Sequence, residues 1–263
     1  MKRAYSSLCC VNYTPREVAE LTQKSGLALE LRVADTNLDL FTAEADVFLQ
    51  AGTTITNIAS SINIVNETLS ETAFGYIDLA HKLGVKGVRI FAGENQKFVQ
   101  EGLQSDIPAI VKAIRKLCEY AQEKGVEIWL ETHSEISTGK LCRRVLDDVN
   151  MPNFKIIWDV LHSLEYHEAL DETLRYIADD IVHIHLKDGV PPSDSTLRHY
   201  VKTDLCVGIM PFADVIEKLK AIGFDGYLSL EWESPWCPQL RELYDDPADL
   251  LEKYNNLLDN LNV

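Results

Sequence analysis

The chain is short of positive charge: 25 lysines and arginines stand against 41 aspartates and glutamates, a formal net charge of −16. A nucleic-acid grip needs clustered Lys and Arg to neutralise phosphates, so this balance argues against nucleic acid as a partner. Cysteines are few and scattered. Cys9, Cys10, Cys118, Cys142, Cys206 and Cys237 show neither CxxC nor zinc-finger spacing. With 46% hydrophobic residues in 263, a core forms without a disulfide framework, and the six read as reduced thiols of a cytoplasmic protein. No run approaches the ~18–20 apolar residues of a membrane span, which excludes a membrane-spanning role. Nor does the basic start, Met1-Lys2-Arg3, lead into a secretory apolar segment. No GxGxxG turn follows the first apolar run, which enters Val11-Asn12-Tyr13-Thr14 instead. That weighs against a doubly wound dinucleotide-binding sheet. Linkers, low-complexity tracts and charge blocks are also missing.

What is present is a regular alternation. Short apolar, β-branched runs predict strands at Ala4–Val11, Leu27–Val33, Thr53–Ile64, Gly87–Phe91, Glu127–Glu131, Lys155–Asp159, Ile181–Leu186 and Tyr227–Glu231. Between them the spacing predicts helices. The first starts at Thr14 with Pro15 and Glu17 in a capping-box pattern and stops at Gly26. Others are expected at Thr42–Ala51, Asn66–Leu83, Ser105–Lys124, Thr138–Asp148, Ser163–Ala178, Pro211–Ile222 and Pro238–Leu261, several closed by a glycine just before the next strand. Strand–helix alternation implies parallel strands with helical crossovers, and eight such units in a chain of this length predict an α/β fold, a single-domain (β/α)8 TIM barrel over residues 1–263. The one long irregular connection, Asp188–Met210, contains Pro191-Pro192 and is expected to lie over a site.

In such a barrel the chemistry sits at the C-terminal strand ends. Four successive runs end on polar side chains. Strand five ends at Glu131, strand six at Asp159, strand seven carries His185, and strand eight ends at Glu231. Any one acid at a strand end is ordinarily a helix N-cap. Four on consecutive strands form a ligand set instead, three carboxylates and an imidazole suited to one divalent cation, Mn2+, Mg2+, Co2+ or Zn2+. Without a cation, crowded carboxylates repel and raise one another's pKa.

Other positions carry weaker signals. His183 shares a strand face with His185 and is expected one layer deeper. His162 is either a substrate contact or a cap of the next helix, and His133 a rim residue. Glu233 is the rival of Glu231. Glu30 is a candidate substrate contact facing the interior, or half of a buried pair with Arg32; Arg89 is equally ambiguous. In the long loop, Arg198 and His199 are either solvated loop residues, the default, or groups that reach over a bound substrate.

At these residues the chain resembles the xylose isomerase-like barrel superfamily, specifically its sugar phosphate isomerase/epimerase group. The motifs are Leu130-Glu131-Thr132-His133, Trp158-Asp159-Val160-Leu161-His162, His183-Ile184-His185-Leu186-Lys187-Asp188 and Gly226-Tyr227-Leu228-Ser229-Leu230-Glu231. The resemblance implies one metal held by Glu131, Asp159, His185 and Glu231, with Glu131 and Glu231 also moving protons, His162 on substrate oxygen and Lys187 near the substrate pocket. It further implies a small carbohydrate substrate and, for several relatives, a homo-oligomer. Two departures stand out. The Gly-Glu-Gly or Gly-Arg-Gly turn before the last helix is replaced by Cys206-Val207-Gly208-Ile209-Met210-Pro211, and the arginine that accompanies it has only Arg198 as a candidate; this weighs against a ketose 3-epimerase. The extra histidines of endonuclease IV-type AP endonucleases are absent from strands three and four. The expected activity is a metal-dependent sugar isomerase or epimerase working through an enediolate. The alternatives are a dehydratase of the inosose or dehydroshikimate type, a non-catalytic sugar-binding protein and an AP endonuclease.

Overall fold

Eight parallel strands close into a barrel in a computed structural model that describes residues 1–263. The barrel strands are β1 (Lys2–Ser6), β2 (Ala28–Arg32), β3 (Ile55–Ile64), β4 (Gly87–Ala92), β5 (Glu127–Glu131), β6 (Phe154–Asp159), β7 (Ile181–Leu186) and, eighth in the ring, β10 (Tyr227–Leu230). Each pairs with its neighbour in sequence, and β10 closes on β1. Helices return the chain between strands: α1 (Pro15–Ser25), α2 (Leu38–Ala43), α3 (Ala45–Ala51), α4 (Thr72–Leu83), α5 (Ile107–Glu123), α6 (Gly139–Val149), α7 (Val160–Glu165), α8 (Leu170–Ile177), α9 (Phe212–Ala221), α10 (Pro238–Arg241) and α11 (Pro247–Asn260). The expected (β/α)8 barrel is therefore the observed one. Its strands are buried on both faces: apolar side chains pack outward under the helices, and a largely polar layer that includes Glu30, Asn57, Arg89, His183 and His185 fills the inside. No helix is long and apolar enough to cross a membrane.

Local chemistry explains where the elements begin and end. Thr14 and Glu17 form the expected reciprocal cap of α1. Four expectations are corrected. The first strand stops at Ser6 and turns through a 3-10 segment, Ser7–Cys10, where the Ser7 hydroxyl accepts from the Arg32 amide. The helix expected from Asn66 starts at Thr72, because the Asn66 side chain accepts from the Thr68 amide and holds a turn instead. The single helix expected over Ser163–Ala178 is two. The chain turns at His167, whose φ is +57°, and buries the Glu168 carboxylate as acceptor for the Gly139 amide and the Thr173 hydroxyl at 2.6 Å each. Pro238–Leu261 likewise splits, with Asp246 capping a new start at Pro247.

The long connection after β7 is not irregular throughout. Asp188–Val190 (β8) and Val201–Thr203 (β9) form an antiparallel ribbon beside the barrel mouth. Asp188 fastens its base, accepting from the amides of Gly189, Gly208 and Met210. Its tip is stitched to the loop after β4 through the Phe98–Leu197 bridge and bonds from Val99 N to Thr196 O and Arg198 N to Lys97 O.

Candidate active site

The strand register sets the site. Asp159 at the end of β6 pairs with His185 on β7, and Ser229 of β10 flanks His185 on its other side. Glu131 ends β5, and Glu231 follows β10 by one residue, its amide still bonded to Leu186 O. These four side chains are buried and each offers one donor atom within 4.8 Å of the others. Glu233 is outside this set; it lies beside the cluster, paired with Lys187.

Two resident cations thread the acids. Arg89 Nη1 lies 3.0 Å from Glu131 Oε2 and 3.1 Å from Glu231 Oε1, while Nη2 donates to Ser60 O. Lys187 Nζ lies 2.7 Å from both Asp159 Oδ2 and Glu231 Oε2 and also bonds Glu233 Oε1. Burial alone would raise these carboxyls. Arg89 and His185 overcome it and bring Glu131 down to about 2. His162 and Lys187 do the same for Asp159, held well below the usual carboxylate range, and Lys187 and Lys202 bring Glu233 to about 2. Burial likewise works against charge on Lys187, yet Asp159, Glu231 and Glu233 push it well above its ordinary value.

Below the cluster Glu30 corrects an expectation. It is fully buried and does not line the cavity, so it touches no substrate; nor is it paired with Arg32. Its Oε2 accepts from His183 Nε2 and His185 Nε2, both at 2.8 Å. A carboxylate only accepts, so both Nε2 atoms carry hydrogen. His185 therefore turns Nδ1 toward Glu131 Oε1, Asp159 Oδ2 and Glu231 Oε2, at 3.5, 3.8 and 3.6 Å. This Nδ1 is buried and has no hydrogen-bond partner. Burial opposes charge on His185, but Glu30, Glu231 and Glu131 raise it well above the ordinary imidazole value. Once its proton is displaced, this ring nitrogen among three carboxylates is the donor chemistry a divalent transition cation accepts, and Glu30 fixes Nδ1 as the nitrogen that faces them. The residues present fit such an ion.

Above the cluster opens a cavity of about 560 Å³. Glu131, His162, Lys187, Glu231 and Glu233 form its floor, and Arg32, Ser61, Asn63, Phe91, Asn95, His133, His199, Tyr200, Lys202 and Trp236 its walls. His162 satisfies part of both readings. Its amide is capped by Asp159 Oδ1 and its Nδ1 donates to Thr132 O, which leaves Nε2 for a ligand. Lys187 is on the floor as expected from the resemblance, but as a partner of the acids. Arg198 is corrected: its guanidinium stacks 3.8 Å from the centre of the Tyr166 ring and donates to Phe98 O and Val99 O, off the cavity. It pins the ribbon tip to the β4 loop. The neighbouring His199, expected as a loop residue, does line the cavity and bonds Glu165 Oε2 and Asn95 Oδ1 at 3.0 Å each. Sequence reading missed Glu165. This buried acid also accepts from Tyr200 N and Lys202 Nζ, tying the ribbon to α7.

Residues 14–254 match the xylose isomerase-like TIM barrel family. The chain belongs to that family. Among relatives of this xylose isomerase-like barrel, the 3-dehydroshikimate dehydratase of Bacillus anthracis is 26% identical over 170 residues, 59% of this chain and 58% of that protein. The chain spans about three-fifths of the length of the curated relatives it matches, 64% and 58%. Among solved structures, D-allulose 3-epimerase from Methylomonas sp. superposes with a TM-score of 0.73 at 17% identity, covering 99% of this chain and 98% of that one. The IolI protein, solved with a bound zinc atom, gives 0.77 at 17% identity, covering 99% and 98%. At such identities the superpositions speak to the fold.

Proposed function

We propose that the protein is a divalent-metal-dependent isomerase or epimerase of a small polyhydroxy carbonyl compound. The observation that carries the reading is His185 Nδ1, which Glu30 aims into the Glu131, Asp159 and Glu231 carboxylates with no hydrogen-bond partner of its own. Those four residues would hold the cation, which when bound polarises a carbonyl and acidifies the neighbouring C–H. The chain's own groups do the rest. Arg89 keeps Glu131 ionised across the neutral range, the form a base requires. Glu131 or Glu231 removes the proton and the other returns it. His162 Nε2 and Lys187 Nζ donate to substrate oxygens, and the ribbon with His199, Tyr200 and Lys202 walls the cavity against bulk water. The family, the epimerase of like fold and the zinc-bound neighbour support this assignment.

A dehydratase is the second reading, favoured by the similarity to 3-dehydroshikimate dehydratase. It begins with the same proton abstraction and ends with loss of a β-hydroxyl as water. Incubation with a panel of ketoses and keto acids in D2O, followed by NMR, separates the two. Epimerisation or isomerisation places deuterium on carbon with all hydroxyls kept; dehydration removes one. The Glu231→Gln protein should be folded and at least about a thousandfold slower in either case. Full activity in that variant, or after chelation of divalent ions, refutes the proposal.

A further inference from the structure

The cavity contains one cation with no counter-ion. Arg89 and Lys187 are neutralised by the floor acids, and Lys202 by Glu165 at 2.9 Å. Arg32, at the end of β2, is in no ion pair, although acids outnumber bases by 41 to 25 in this chain. Its hydrogen bonds go to neutral acceptors: Nη1 donates to Val33 O at 2.6 Å and Ala59 O at 3.0 Å, and Nη2 to Ser61 Oγ at 2.8 Å. A guanidinium has five N–H groups, so Nε–H and one Nη2–H are left without a protein acceptor. Those two adjacent nitrogens form the fork that a carboxylate or phosphate binds side-on. The three neutral bonds meanwhile clamp the head group in place. Burial and repulsion from Arg89 pull Arg32 down to about 10, so it stays charged at neutral pH while carrying an uncompensated penalty.

Its position in the ring gives this cation a direction. Strand order places β2 opposite β6, the strand of Asp159, and β3, which carries Ser61 and Asn63, opposite β7, the strand of His185. A molecule filling the 560 Å³ between them presents one end to Glu131 and Glu231 on the floor, with Asp159 and His185 buried beneath them, and the other to Arg32, Ser61 and Asn63. We infer that the substrate is anionic, a sugar acid or sugar phosphate whose oxyanion is bound by Arg32 across the cavity from the Glu131–Asp159–His185–Glu231 cluster. This deepens the proposed function and relies on it for the role of the cavity.

Three probes that differ only at C6 test the inference: D-glucuronate, D-glucose 6-phosphate and D-glucose. Their binding to the full chain is measured by calorimetry and ligand-observed NMR, with and without added Mn2+. At least one anion should bind about tenfold or more tightly than glucose, and whichever does identifies a carboxylate or a phosphate as the better fit. Arg32→Gln should erase the preference, and Arg32→Lys, which keeps the charge but not the fork, should retain only part of it. Equal binding of all three probes to the wild type, no binding of either anion, or a preference that survives in Arg32→Gln overturns it. The wild-type comparison decides alone if a variant fails to fold. Mn2+ affinity is measured in the same samples. Failure of Mn2+ to bind counts against the metal-dependent function, whereas loss of anion preference with Mn2+ binding intact counts against Arg32.

Discussion

Replacement of Glu30 by glutamine is the most informative perturbation, because Glu30 touches neither substrate nor the cluster's donor atoms. Its carboxylate holds His183 and His185 through two 2.8 Å bonds to one oxygen. A glutamine carbonyl can occupy the same place, so shape is kept and one buried negative charge is lost. That charge sits one hydrogen bond and one imidazole ring from His185 Nδ1, roughly 5–7 Å from any cation bound there. At an effective dielectric of about 20 a unit charge at that range contributes about 2–3 kcal/mol. The expected result is a loss of divalent-ion affinity of about 30- to 150-fold, comparable to the removal of acid partners behind metal-bound histidines. Competition against a fluorescent chelator measures it on purified protein, with no substrate needed. Far-UV and near-UV circular dichroism establish that the variant is folded. Affinity for Mn2+ and Zn2+ within twofold of wild type in a folded Glu30→Gln protein would show that the His185–Glu30 bond does not prepare the donor, and the reasoning above would fail.

Two further outcomes follow from the same charges. Glu165 holds the β8–β9 ribbon through His199, Tyr200 N and Lys202, and despite burial the His199 hydrogen bond and the Lys202 charge keep its carboxyl well below the usual range. A depressed folded pKa contributes stability that is complete above the unfolded value near 4.3 and is lost as pH falls through the folded value. Limited proteolysis should therefore find the wild-type ribbon intact from neutral pH to about pH 4, and residues 191–200 cleaved at neutral pH in Glu165→Gln, which breaks a buried ion pair at a local expense of about 3 kcal/mol. Exhaustive chelation should leave the fold in place. Loss of an ion present at 100 times its Kd removes about 2.7 kcal/mol, a fall in Tm of about 5–10 °C for a chain of this size; unfolding at room temperature on chelation would contradict the internal charge balance.

The barrel was readable because its signals are local: β-branched runs of four to eight residues, capped helices and glycine stops repeat along the chain. The gathering of Glu131, Asp159, His185 and Glu231 was readable for the same reason, each being a polar group at or near the end of an apolar run. The helix breaks were not. Nothing near Ser163–Ala178 announces that Glu168 is needed as an acceptor by Gly139, a residue 29 positions earlier. The role of Glu30 was hidden for a similar reason, since its partners lie 153 and 155 positions away. The parity of β2 shows only that it faces inward. Arg198 and His199 adjoin in sequence and diverge in use, one pinning the ribbon tip and the other lining the cavity, because the chain pairs with residues 97–99 at that point.

Asp159 sharpens what such signals mean. The bland interpretation of an acid at a strand end is a helix N-cap, and the functional one is a ligand. The geometry leaves room for both: Oδ1 caps α7 by accepting from His162 N at 3.1 Å, and Oδ2 faces Lys187 and His185. The cap fixes the rotamer that aims the second oxygen, so the local structural role makes the site rather than competing with it. The case for a cation changes as well. From sequence, three clustered carboxylates call for a metal to relieve their repulsion. In the fold, Arg89 spans Glu131 and Glu231 while Lys187 spans Asp159, Glu231 and Glu233, so repulsion is already relieved from two sides. What neither resident cation occupies is the position facing His185 Nδ1, whose proton the three acids hold and a divalent ion would replace. That nitrogen and the Glu30 bond behind it favour a bound ion, which would share the Asp159 and Glu231 oxygens that Lys187 now contacts.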